Sequence, residues 1–425
     1  MGDRDLDVVV LGATGVTGRR VAAYLAERSA GTDLRWAAAA RDPAKLRRQL
    51  AEDGVSAPET IVAAIGDPAS LLALAARTHV VLDLVGPYTL HGRPVVEACI
   101  AGGAHYADLT GEIPFVRGII DHFDERARDA GVKIVQVCGF EALPADLATL
   151  LAAETARERF GEGLASVDLE VSFKPPPGLP RPSDGMSGGT LQSLLAVAGA
   201  ENLDLITDPA ALIAEEPTAA EVRRVSPITL APRRNHAGEV LAPMAPAPFI
   251  NPAVIHRTAA ISDADAGRAP SAFRYREGVV IGSGGPATLP LRLGVAGALS
   301  ATQLGLRSFA AARPGVRRRV AGALGRIGPG SGYGPAASRL EGWRWLMEVT
   351  ALTPAGSSVE VRIDADGHPG YLATARMLGE LGILLAADGA TPARAGCLTP
   401  ALALGSACVE RFDLARVRFS VLPQA

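Results

Sequence analysis

The residues best suited to chemistry stand at the front of this chain. A short β-branched run, Asp7–Leu11, leads into Gly12-Ala13-Thr14-Gly15-Val16-Thr17-Gly18, and a helical pattern follows at Arg19–Arg28. A loop that cradles a pyrophosphate needs glycine where the chain reverses, where backbone approaches the phosphates, and where the helix packs on the sheet. Gly12, Gly15 and Gly18 meet these needs. The helix beyond Val16 would aim free N–H groups and its positive dipole end at the anion. The hydroxyls of Thr14 and Thr17 add donors. The spacing therefore predicts a dinucleotide site. The end of the second strand, 34–40, selects between the two nicotinamide dinucleotides. A carboxylate about 20 residues after the loop binds a ribose 2′-hydroxyl, but Arg41 stands at the strand end, with Asp42 next. A guanidinium pairs bidentately with a 2′-phosphate, so Arg41 predicts NADP. Asp42 either caps the helix beginning at Pro43 or binds the ribose. Asp67, just past the third strand, is expected near the adenine or as another helix cap.

Several chemistries are excluded. The lysines are Lys45, Lys133 and Lys174, and four residues before them stand Arg41, Asp129 and Glu170, so no Tyr-x-x-x-Lys catalytic pair exists. Cys99, Cys138, Cys397 and Cys408 form no CxxC pair and no metal-ligand spacing, so neither a disulfide scaffold nor a metal site is expected. With a net charge of −3, general nucleic-acid binding is not expected. Asp3, Asp5 and Asp7 precede the first strand where a signal peptide would be basic. No apolar stretch is long enough to span a bilayer. A cytoplasmic location is expected.

Strand and helix patterns alternate over the first 140 residues. Strands at 7–11, 34–40, 60–64, 79–85, 104–109 and 133–137 are separated by helices at 19–28, 43–53, 70–76, 93–101 and 114–130. That alternation predicts an α/β fold: an N-terminal Rossmann unit with a doubly wound parallel sheet over residues 1–145. Beyond it, a helix at 145–160, a strand at 165–174, a loop at 175–184, a helix at 190–200 and a hairpin at 341–365 read as a second, α+β domain over 146–370, with a mostly antiparallel sheet. Residues 217–257 resist assignment. A helix at 371–387 opens the C-terminal segment 371–425.

Further motifs carry a resemblance. Val85-Gly86-Pro87-Tyr88, Gly92, Cys99, Gly103, and the run His105-Tyr106-Ala107-Asp108-Leu109-Thr110-Gly111-Glu112 are similar to the saccharopine dehydrogenase-like family, and within it to the trans-acting enoyl reductases. Cys138-Gly139-Phe140-Glu141-Ala142-Leu143-Pro144-Ala145-Asp146 resembles that family's Cys-Gly-Phe-Asp-Ser-x-Pro-Ser-Asp segment, with Glu141, Ala142 and Ala145 as departures. Ser187–Thr190, Gly367–Tyr371 and Leu398–Ala401 also fit. The resemblance implies an NADP-dependent reductase of an α,β-unsaturated acyl intermediate in lipid or polyketide biosynthesis, and a C-terminal segment that returns to the Rossmann unit. Two alternatives stay open: a saccharopine-type reductase of an amino-acid pathway, and a non-catalytic lipid- or membrane-associated protein retaining the fold. A saccharopine pocket would converge arginines on carboxylates, with Arg181, Arg257 and Arg274 as candidates.

Ligands of an open parallel sheet sit outside the carboxyl ends of its strands. Gly86 and Pro87 after the fourth strand, and Cys138, Gly139 and Phe140 after the sixth, are therefore expected beside the nicotinamide. Enoyl reduction needs hydride at the β-carbon, a proton at the α-carbon and donors for the enolate oxygen. The phenols of Tyr88 and Tyr106 are candidates for the last two roles. Asp108 and Glu112 are candidates to relay a proton or bind a substrate amine, although Glu112 also suits the cap of the helix near Pro114.

Between Gly278 and Leu340 there is no Asp or Glu, whereas Arg292, Arg307, Arg313, Arg317, Arg318, Arg319, Arg326 and Arg339 all fall there. Leu291, Val295, Leu299, Thr302, Leu306 and Phe309 recur at helical spacing. Such a segment either packs its stripe on the second domain or, through 291–326, meets an anionic membrane at its inner face or an acidic acyl-carrier domain. A homodimer is a further expectation for the assembly.

Overall fold

The computed structural model describes residues 4–178, 193, 195, 202–244, 246–282, 285–327 and 334–423. The expected helix at 190–200, Arg181 and the Ser187–Thr190 motif lie almost wholly outside them.

Apolar strands that cannot alternate must be covered on both faces, and the first half of the chain is built so. The strands are β1 (Leu6–Leu11), β2 (Trp36–Ala40), β3 (Thr60–Val62), β4 (Thr78–Asp83), β5 (His105–Asp108) and β6 (Lys133–Val135). Val8, Val9, Val10 and Trp36 through Ala39 have no exposed surface. The helices between them are α1 (Val16–Ser29), α2 (Pro43–Glu52), α3 (Pro68–Arg77), α4 (Tyr88–Gly102) and α5 (Ile113–Asp129). The sheet is wholly parallel, in the order β3-β2-β1-β4-β5-β6, and a seventh strand pairs beside β6.

From β6 the chain enters α6 (Leu143–Phe160), which carries it away from this sheet and is buried around most of its circumference. It then returns along β7 (Ser166–Lys174). The stretch without a sequence assignment forms α7 (Glu216–Val225), β8 (Arg233–Arg234), β9 (Val240–Ala242) and the start of α8 (Asn251–Asp265), followed by β10 (Arg274–Val280). Two helices, α9 (Leu289–Ala310) and α10 (Pro314–Ile327), precede the hairpin of β11 (Arg344–Leu352) and β12 (Ser358–Asp366). The second sheet is antiparallel except where β10 runs parallel to β7. Its long strands alternate buried and exposed residues, and α6 covers the buried face.

The C-terminal residues divide between the two sheets. A π-helical turn at Pro369–Ala373 starts α11 (Thr374–Ala386), β13 (Gly396–Leu398) pairs with β6, and α12 (Pro400–Leu404) follows. The last strand, β14 (Val417–Val421), pairs with β12 instead. Helix α11 packs beside α1, where Gly379 lets the ring of Tyr24 approach its backbone. Glu380, fully buried there, is neutralised by Arg28 and Arg411 and accepts from the Tyr24 hydroxyl at 2.7 Å.

The structure corrects several boundaries. The fourth strand ends at Asp83, and the helix after it starts at Tyr88 rather than Arg93. The sixth strand ends at Val135 because Val137 takes a left-handed conformation, φ 63°. Among the described residues, no helix is long and apolar enough to cross a membrane.

Candidate functional site

The glycine loop folds as its spacing demands. Gly12 has φ +84°, and a Cβ there would lie 2.8 Å from Val85 and 2.9 Å from the Leu84 carbonyl. A Cβ on Gly18 would collide with the Gly12 carbonyl oxygen, so only glycine lets α1 start this close to the strand. The loop is tied to the next strand by Gly12 N–H donating to the Ala39 carbonyl at 3.0 Å, and closed by Gly15 N–H donating to Gly12 at 3.0 Å. Helix α1 has no side-chain cap and no acid in its first turn. Among the described residues, nothing takes up the N–H groups of Val16, Thr17 and Gly18 or the hydroxyls of Thr14 and Thr17. An uncapped, acid-free helix start of this kind fits a dinucleotide pyrophosphate.

Arg41 emerges exposed two residues beyond Ala39, beside the loop, and among the described residues no carboxylate engages it. Asp42 is occupied: it caps α2 by accepting from Lys45 N–H at 2.9 Å. Asp67 is likewise the cap of α3, accepting from Ala69 and Ser70 N–H. A local cap satisfies two free helix donors, the second of the two roles expected of Asp67.

The four expected catalytic groups form a buried scaffold. Tyr106 has no exposed surface, and its hydroxyl lies 2.8 Å from Asp108 Oδ2 and 3.2 Å from Asp83 Oδ2. One hydroxyl proton cannot serve two carboxylates. Burial pushes Asp83 well above the usual carboxylate range and holds Asp108 at about 7. A protonated Asp83 donating to Tyr106, which donates to Asp108, satisfies every atom. The remaining oxygens accept backbone N–H groups from Val85, Thr110 and Val137 at 3.0–3.1 Å. Tyr88 stacks on Phe115, and its hydroxyl bridges the Asp83 carbonyl at 3.1 Å and Leu109 N–H at 3.3 Å. Glu112 caps α4, not α5: it accepts from Tyr88 N–H at 3.0 Å, Thr89 N–H at 2.7 Å and the Thr89 hydroxyl. In this arrangement the polar atoms of all four are engaged with one another and with backbone groups. They hold the β4, β5 and β6 loops together, because phenols and carboxylates with no water must find one another.

That scaffold aims the loops at the carboxyl ends of the strands. Gly86 and Pro87, joined by a cis peptide, pass within reach of Ser193, whose hydroxyl would lie 3.6 Å from a Cβ on Gly86. Cys138 is buried, its N–H donating to the Asp108 carbonyl at 2.9 Å, and burial raises its thiol, so it is not a nucleophile. Phe140 is pinned by its N–H donating to the Thr374 hydroxyl at 3.0 Å, and its ring meets Trp345 edge-on at 4.9 Å and Phe173 at 5.9 Å. Glu141 beside Gly139 is half-buried, and burial raises its carboxyl.

Opposite these loops the second sheet brings a cluster that the sequence reading missed. Ile250 closes on Gly111 of the β5–α5 loop, 2.8 Å from where a Cβ would stand. The next residue, Asn251, donates through Nδ2 to Glu277 Oε2 at 2.7 Å, and the Tyr275 hydroxyl donates to the same oxygen at 2.9 Å. Tyr275 and Glu277 stand in register with Val167 and Leu169, on the face that also carries Trp345 and Met347. Glu277 Oε1 and Asn251 Oδ1 are buried and have no partner among the described residues. Burial holds the Glu277 carboxyl at about 7. The signal was present, since Tyr and Glu two apart on a strand share a face. No neighbouring element had been assigned to anchor it.

Of the candidate arginines, Arg181 lies outside the described residues, and Arg257 and Arg274 do not converge. Arg257 is buried and donates to the Leu212 and Cys397 carbonyls at 2.8 and 2.9 Å. Arg274 stands at the far end of β10, level with Ser166.

Comparison with known proteins agrees with this architecture. Residues 8–135 match the saccharopine dehydrogenase NADP-binding domain. The chain is 36% identical to a Mycobacterium tuberculosis protein provisionally named a trans-acting enoyl reductase, over 97% of each chain. It is 33% identical to a Mycobacterium bovis trans-acting enoyl reductase, over 98% of this chain and 97% of that one. In fold it is similar to the apo saccharopine dehydrogenase (L-Glu forming) of Saccharomyces cerevisiae, with a TM-score of 0.50 and 14% identity over 98% of this chain and 100% of that one.

Proposed function

This chain belongs to the saccharopine dehydrogenase-like family and is an NAD(P)-dependent oxidoreductase, and we propose that it is a trans-acting enoyl reductase that uses NADPH on an α,β-unsaturated acyl intermediate of lipid or polyketide biosynthesis. The observation that carries this reading is the Glu277 carboxyl, held by two donors through Oε2, with Oε1 buried and, among the described residues, unpartnered.

Gly12 through Gly18 hold the pyrophosphate on the N-terminus of α1, and Arg41 pairs with the 2′-phosphate. A bound nicotinamide would supply the hydride for the β-carbon, leaving the double-bond electrons on the α-carbon and acyl oxygen of the substrate. Glu277 gives the proton from Oε1 to the α-carbon and is left as the carboxylate. Tyr275 and Asn251 stabilise that carboxylate through their bonds to Oε2. A group with a value near 7 is well matched to donate at neutral pH. The saccharopine reading lacks a comparable support, because Arg257 is consumed by backbone carbonyls and Arg274 points from the wrong end of its strand.

The test is NADPH oxidation by purified protein with enoyl thioesters, against NADPH oxidation with lysine plus 2-oxoglutarate and NADP+ reduction with saccharopine. Saturated acyl product from the thioesters alone supports the proposal. Turnover of the amino-acid pair alone, or of neither, overturns it.

A further inference from the structure

Helices α9 and α10 are amphipathic in the inverted sense. An ordinary surface helix hides its leucines and shows its polar residues. In α9 the fully buried positions are Ala296, Ser300 and Gln303, and Ala296 packs over Val240 and Ala242. The large apolar side chains point outward: Leu291 is 71% exposed, Leu304 50%, Leu293 45%, Val295 43% and Leu306 37%. Of the stripe expected to pack on the second domain, Leu299 alone joins that cluster as a half-buried neighbour. In α10, Val316 and Val320 are also exposed. Twelve large apolar side chains are exposed among the described residues, and seven of them lie on these two helices. Concentration of that degree marks a contact surface rather than scattered exposure.

The charge of the two helices is one-sided. Arg307, Arg313, Arg318 and Arg319 are exposed, and no acid occurs from Gly278 to Leu340. We propose that α9 and α10 together form a docking surface for an anionic lipid membrane, lying in its interface without crossing it. Leucines at the acyl boundary with arginines among lipid phosphates are the arrangement that holds a monotopic helix. An acidic protein would answer the arginines and leave the leucines in water. A second copy would set two acid-free arginine surfaces against each other. The inference stands apart from the reductase reading and places the site of Glu277 near the compartment in which lipid acyl chains reside.

The test is flotation of the full chain with vesicles of phosphatidylcholine alone or with about 30% phosphatidylglycerol. Binding is expected on the anionic vesicles only, and is expected to fall as NaCl rises to about 0.5 M. The variant L291S/L304S/L306S should lose at least about tenfold in partitioning at low salt. The variant R313S/R318S/R319S should lose the preference for anionic vesicles. Both should keep the wild-type circular dichroism and NADPH binding, since none of these residues touches the core or the cofactor site. Absence of flotation at low salt, or wild-type flotation by the leucine variant, overturns the proposal. A solution dimer that the leucine variant turns into a monomer overturns it in favour of an interface between copies.

Discussion

Tyr106 on β5 donates to Asp108 at 2.8 Å, and Tyr275 on β10 donates to Glu277 at 2.9 Å. Both phenols are buried, and burial holds both carboxyls at about 7. In the first cluster every carboxylate oxygen is spoken for, chiefly by backbone N–H groups of the loops it braces. In the second, Glu277 Oε1 and Asn251 Oδ1 have no partner among the described residues. A raised carboxyl marks burial. An unfilled valence in the same burial marks a place for a ligand, because a native fold rarely leaves such atoms empty without use.

The sharpest way to break this contrast is Glu277→Gln. Glutamine keeps the bonds from Tyr275 and Asn251 but cannot donate an acidic proton. We expect turnover to fall by about 100- to 10,000-fold with NADPH affinity unchanged. In the wild type, kcat/KM should hold below about pH 7 and decline above it, because the protonated acid is the working form. The same raised value ties the group to stability. The folded state holds this proton more tightly than the unfolded chain does, so its contribution is present in acid and is lost as pH rises from about 4 to about 7. Denaturant midpoints of the wild type should therefore drop more over that window than those of the variant. A flat rate profile would return Glu277 to the scaffold class.

Asp108→Ala should do the opposite: lower unfolding free energy on the order of 3 kcal/mol, by stranding Tyr106 and two backbone donors, while turnover per folded molecule persists. Next in size is Arg41→Ala. It should abolish a preference for NADPH over NADH of about 1–3 kcal/mol, measured by fluorescence titration. Equal affinities in the wild type would remove that role. The smallest effect belongs to Tyr88→Phe, about 1 kcal/mol of stability, read by chemical denaturation. Lost turnover at full stability would restore Tyr88 to the reaction.

What the sequence made legible was local. Gly12 and Gly18 announce themselves because the left-handed turn and the helix start act over seven residues. The parallel sheet was legible because its strands are uniformly apolar. Long-range satisfaction was not legible. The start of α4 at Tyr88 depends on Glu112, a cap supplied from the next loop. His105 and Tyr106 are neighbours on a strand and so face opposite ways, yet both faces are covered and both residues are buried. The period of α9 was right, but periodicity identifies a stripe without saying whether protein or solvent meets it. The three-residue β13 carries too little pattern to register as a strand at all.

That short strand, with α11, bears on how the chain is made. The edge of the parallel sheet beside β6 and the helix covering α1 come from residues 374–398. A nascent chain that has just emerged through residue 145 therefore has its nucleotide loop formed and its sheet unfinished, with a bare β6 edge. About 250 more residues must follow, which at roughly 5–20 residues per second means tens of seconds of synthesis. Throughout that interval the exposed edge is a template for another chain, and the second domain is made while the first still waits for its final pieces.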